Sequence, residues 1–122
     1  MKTNSVSTTQ RIHNDAIVVD THNDILFLSL INDLKIDTDL EGQAASDLAR
    51  WKEGGVDVQV FALWCEDSVE NPYDYALQQL DLLDELCHRN PTKISLIHSH
   101  NELLETVKQG KLAALIGVEG GH

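Results

Sequence analysis

The chain has 122 residues, 42% hydrophobic and 24% charged, the balance of an ordinary globular domain with a modest core. Nine lysines and arginines against twenty aspartates and glutamates leave a formal net charge of −11, which argues against nucleic acid and anionic membrane surfaces as partners. Cys65 and Cys87 form neither a CxxC metal motif nor a disulfide framework, so both are expected as buried thiols in a reducing compartment.

The polar start "MKTNSVSTTQ" lacks the apolar segment of a secretory signal, and residues 1–12 read as a flexible polar tail. No apolar run is long enough to span a membrane, and a cytoplasmic protein is expected. Residues 16–22 read as a buried strand, led by the β-branched run Ile17-Val18-Val19. Residues 42–53 read as a helix with Ala45, Leu48 and Ala49 on one side, stopped by Gly54-Gly55. A second strand is expected in "VDVQVFALW", residues 56–64. Asn71 as cap and Pro72 at the first helical position open the next helix, with Ala76, Leu80, Leu83 and Cys87 as its apolar stripe. Asn90-Pro91 ends it. "KISLIH" (93–98) is a third strand candidate. Ser99 with Glu102 resembles a capping box for a helix from about His100 to Gln109, ended by Gly110. "LAALIGVE" (112–119) is the fourth strand.

Strands alternating with helices imply a parallel α/β sheet, and ligand chemistry in such folds sits at the carboxyl ends of the strands. Two carboxylate-bearing segments fall there. Residues two apart on a strand share a face, so His22 and Asp24 can reach one cation, with Asp20 on the same face as a further ligand or as the group that orients the histidine. On spacing alone a solvated turn, with Asn23 and Asp24 as turn or cap residues, stands slightly ahead of metal binding. Glu119 ends an apolar strand before Gly120-Gly121, and its two oxygens could bridge two cations; a turn carboxylate is the plainer alternative. "GVEGG" has neither dinucleotide-loop nor P-loop spacing. His98 and His100 read as exposed imidazoles at a strand exit. His13 and His88 have no convergent partner. There is no nucleophile elbow for serine chemistry.

"VDTHND" (19–24) and "LIGVEGGH" (115–122), taken together, resemble the membrane (renal-type) dipeptidase family, a branch of the metal-dependent amidohydrolases. The intervening "TDLEGQAASDLARWKEGGVDVQVFALW" and "ELLETVKQGKLAALIGVEGGH" are similar to it as well. The resemblance implies a TIM (β/α)8 barrel with a two-zinc site at the carboxyl ends of its strands. It implies His22 and Asp24 as ligands of one zinc and Glu119 as the bridge between both. Asp20 and His122 would stand behind these ligands. The implied reaction is hydrolysis of dipeptides through a metal-bound hydroxide. The family's remaining zinc histidines and its proton-transferring aspartate match no residue here, so no catalytic group beyond the metal ligands is assigned.

A barrel of this kind takes about 250 residues. Residues 1–122 are therefore expected to form the amino-terminal part of a single hydrolase barrel domain, about four βα units, incomplete in this chain. A homo-oligomer is admissible for the complete protein. Two alternatives stand beside the zinc dipeptidase. One is a non-catalytic remnant or subdomain that needs a partner chain. The other is a different amidohydrolase, a lactonase or deacylase, because a shared scaffold does not determine the substrate.

Overall fold

The computed structural model describes residues 7–120. In chain order the elements are α1 (Thr8–Asp15), β1 (Val19–Asn23), α2 (Ile25–Asn32), α3 (Leu48–Gly54), β2 (Val58–Leu63), α4 (Pro72–Arg89), β3 (Ile94–Leu96), α5 (His100–Lys108) and β4 (Leu112–Val118). The four strands make one parallel sheet in the order β1-β2-β4-β3. The expected α/β parallel class holds. The order differs from four consecutive units side by side. The three-residue β3 pairs only with the first residues of β4, Leu112–Ala114, on its outer side, so β4 lies directly against β2.

The helix boundaries follow local chemistry. Asn71 Oδ1 accepts from the Asp74 amide and Pro72 occupies the first turn of α4, as its sequence indicates. The stripe of α4 is centred on Leu83 and Leu86, with Leu80 and Cys87 at its edges. Ser99 Oγ caps α5 by accepting from the Glu102 amide. Glu102 reaches back one residue further than a capping box requires, accepting from the His98 amide. Cys65 is buried and Cys87 half-buried, and no disulfide joins them.

Three segments correct the sequence expectation. Helix α1 occupies part of the segment read as a flexible tail. Ser7 Oγ caps it at the Gln10 amide, and His13 Nε2 lies 2.8 Å from the Gly54 carbonyl. No residue of α1 is buried, so no apolar periodicity announced it. Helix α3 begins at Leu48, not residue 42, because Gly42 adopts φ 77° in a turn closed by the Gln43 and Ala44 amides on the Leu40 carbonyl. Its inward residues are Leu48 and Trp51; Ala45 and Ala49 are exposed. The expected stop is present, with Gly55 at φ 70°. Third, β1 is an edge strand, and Ile17 and Val19 are each 48% exposed where a buried run was expected.

One face of the sheet carries Phe61, Leu63, Leu112 and Ala114 and packs on α2, α3 and α4 through Ile25, Leu26, Trp51, Leu83 and Leu86. The opposite face carries Val58, Ala113 and Leu115 and is covered in part by Leu103 and Val107 of α5. Buried Asp47 locks α3 to the core. Its Oδ1 accepts from the Arg50 amide, and its Oδ2 accepts from the Leu40 amide and from Arg50 Nε at 2.8 Å. Burial alone would raise this carboxyl; those donors outweigh it and hold it below the usual carboxylate range. Asp47→Ala is expected to lower unfolding stability by about 2–3 kcal/mol at neutral pH, since a cap and two further bonds are lost together. A depressed folded-state pKa stabilises above the ordinary carboxylate value of about 3.9 and ceases to do so as pH falls through the folded value. Urea titrations of wild type and variant should therefore converge as pH falls below about 4. A difference that persists undiminished in acid would exclude the carboxylate as its source.

Candidate metal centre

The carboxyl ends of β1 and β4 converge. His22 Nε2 lies 3.2 Å from Asp24 Oδ1 and 3.4 Å from Glu119 Oε2. One ligand atom from each of the three residues falls within 4.8 Å of the others. All three side chains are about half exposed, at 53%, 44% and 51%. An imidazole nitrogen and two carboxylate oxygens converging in this way make a donor set that suits a divalent cation of the zinc type.

The route to this geometry differs from simple strand alternation. Asp20 pairs with Gln59 and Asn23 with Phe61, three residues along β1 against two along β2. One extra residue is thus accommodated in β1 between them, a bulge-like slip that reverses the alternation. His22 thereby joins the face of Val60 and Ala62, and Asp20 does not share it. Asp20 Oδ1 instead accepts from the His22 backbone amide at 3.1 Å, which holds the backbone, not the ring. Asp24 has left the strand. It stands at the amino-terminal cap position of α2 yet makes no capping bond. Asn23 Oδ1 accepts from the Ile25 amide in its place, and Asn23 Nδ2 donates to Ser46 Oγ. The turn expected from Asn23 and Asp24 is therefore present, and Asn23 makes it, which leaves the Asp24 carboxylate to face His22.

Glu119 is held by its backbone, whose amide donates to the Leu63 carbonyl and extends the β2–β4 ladder one step. Gly120 at φ 86° turns the chain immediately afterwards. Beside Glu119 an open depression is lined by Thr21, His22, Val60, Ala62 and Gly117. A Cβ on Gly117 would stand 3.2 Å from Val60 Cγ1, so the glycine keeps the floor of this depression open. Glu119 also borders a second depression, lined by Trp64, Cys65, Glu66, Asp67 and Pro72.

His98 and His100 are exposed and outside the cluster, as their sequence suggested. His88 bonds to Asp84 on its own helix. His122 lies outside the described residues. Of the two turn residues the sequence offered, Asn23 is the one whose side chain secures the strand end.

Residues 6–122 match the family model of the membrane dipeptidases, peptidase family M19. The chain belongs to the membrane dipeptidase family. Dipeptidase 3 of Mus musculus is 34% identical over 116 residues, an alignment covering 88% of this chain and 22% of that protein. Dipeptidase ataJ of Aspergillus terreus is 25% identical over 126 residues, covering 86% of this chain and 29% of that protein. Among solved structures, dipeptidase AC, a metallopeptidase of family M19, superposes with a TM-score of 0.76 at 22% identity, over 85% of this chain and 35% of that one. A metallopeptidase from Rhodobacter sphaeroides, solved with a phosphinate mimic of the dipeptide L-Ala-D-Ala, superposes with a TM-score of 0.73 at 20% identity, over 85% of this chain and 38% of that one. At these identities the two structures establish a shared fold. The chain spans about a fifth to two fifths of the length of these family members.

Proposed function

We propose that this membrane dipeptidase family chain furnishes the first half of a zinc-dependent dipeptidase site. The observation that carries the proposal is the convergence of His22, Asp24 and Glu119 at the carboxyl end of a parallel sheet. His22 and Asp24 would hold one zinc ion, and Glu119, with two oxygens and a backbone anchored to Leu63, would hold it jointly with a second. Bound there, zinc would supply Lewis acidity toward the scissile carbonyl and an acidified water. The chain's own residues orient the site. Asn23 secures the end of β1, and the Gly117 floor leaves room for substrate beside Glu119. Dipeptides are the proposed substrates. The sheet is read as the first strands of a (β/α)8 barrel.

The half-exposure of all three donors favours a second, compatible reading, in which this chain alone is non-catalytic and needs further protein groups to close the site. Hydrolysis of L-alanyl-D-alanine by the zinc-loaded 122-residue chain, followed as released alanine, is expected to stay at background. Robust turnover that vanishes in Glu119→Gln would establish that these donors suffice and would overturn the incomplete-site reading. If zinc fails to bind the chain at all by calorimetry, the metal-site proposal falls.

A further inference from the structure

We propose that Gln59 is a positioning residue: its buried amide braces the register slip in β1 that turns His22 toward Glu119. Gln59 is 0% exposed, the second residue of an otherwise apolar strand. A primary amide in such a place costs free energy unless its polar atoms are used. Its Oε1 has no hydrogen-bond partner among the described residues, so the side chain bears that cost in part. Its Nε2 is used on both strands that frame the slip. It donates to the Val60 carbonyl of β2 at 3.0 Å and to the Asp20 carbonyl of β1 at 3.4 Å. Asp20 is the last residue in register before the slip, paired with Gln59 itself.

A bulge disrupts the ladder locally, and peptide groups beside it need other partners. The Gln59 amide supplies one at the edge of the slip. The Asp20 carboxylate supplies the next, accepting from the His22 amide at 3.1 Å. Gln59, Asp20 and His22 thus form a hydrogen-bonded sequence that runs from a buried side chain on β2 to the backbone that carries the His22 imidazole. Without it, β1 is free to return to plain alternation, which would put His22 on the face of Gln59 and away from Glu119.

The test uses the metal-free 122-residue chain for one readout and zinc titration for the other, because only the second rests on the metal-site reading. Gln59→Met keeps length and apolar contact and removes the amide. The variant is expected to keep its thermal midpoint within a few degrees and to exchange the His22 amide hydrogen about tenfold faster or more by NMR. It should bind zinc about 10–100-fold more weakly, the usual effect of losing a group that orients a ligand. Asp20→Ala should reproduce both effects, and Asp20→Asn, which keeps an oxygen acceptor, should return both to wild-type values. Unchanged His22 exchange in folded Gln59→Met overturns the proposal. So does faster exchange spread evenly over the sheet, the mark of a merely structural role. If Gln59→Met does not fold, Gln59→Leu is read in its place, and unchanged His22 exchange in it overturns the proposal. If the wild-type chain binds no zinc, the metal-site reading fails while the exchange measurement still decides the brace.

Discussion

Glu119→Gln is expected to weaken zinc binding by the chain at least about 100-fold, because replacing a residue proposed to ligate directly should exceed the 10–100-fold typical of losing a group behind a ligand. The substitution keeps the shape of the side chain and one carbonyl oxygen. It removes one of the two negative charges that face His22 Nε2. The fold should be indifferent to it. Glu119 is half exposed, and an exposed pair of this kind contributes about 0–1 kcal/mol at most. The backbone bond from its amide to Leu63 is untouched. Calorimetry with zinc on the wild type, Glu119→Gln and His22→Ala, with thermal melts of the same samples, separates binding from stability. Equal zinc affinity in the wild type and Glu119→Gln would remove Glu119 from the site.

Phe61→Ala is expected to have the opposite profile: a loss of about 3–5 kcal/mol in unfolding stability. Phe61 is 0% exposed on β2, the strand that lies between β1 and β4. Its ring meets Trp51 of α3 edge-on, with centroids 5.4 Å apart, and in the sheet it pairs with Asn23 and Ile116. Truncation therefore opens a cavity where sheet and helix meet, and the neighbours are held by backbone ladders that resist collapse into it. A domain of this size is stable by about 5–15 kcal/mol, so the loss is a large share of the total. Urea denaturation followed by tryptophan fluorescence measures it. A change below about 1 kcal/mol would mean that this core is not the one that holds the fold.

Much of this arrangement was legible from residue order. The strands around residues 58, 94 and 112, the Asn71-Pro72 start of α4, the Ser99 cap of α5 and the Gly55 stop of α3 follow from chemistry within a few residues. Residue type and position at strand ends drew attention to His22, Asp24 and Glu119, the resemblance made them a ligand set, and the structure brings the three together. The misread parts have a common cause. Helix α1 buries nothing and is held by one cap and one contact to Gly54, so it leaves no apolar pattern. The start of α3 is fixed by Asp47, whose cap on Arg50 is local but whose bond from the Leu40 amide exists only after the chain has turned at Gly42.

The candidate metal centre divides along the same line. Which donors are available is fixed by residue identity alone, because imidazole and carboxylate chemistry belongs to the residues themselves. How they meet is a property of the folded sheet. Strand alternation, a local rule, would place Asp20 and His22 on one face and treat Asp24 as part of the strand. The pairing of β1 with β2 inserts a slip, Asn23 ends the strand, and β4 crosses to lie against β2 so that Glu119 arrives opposite His22. Register and strand order are properties of partners distant in the chain, and no window of neighbouring residues carries them.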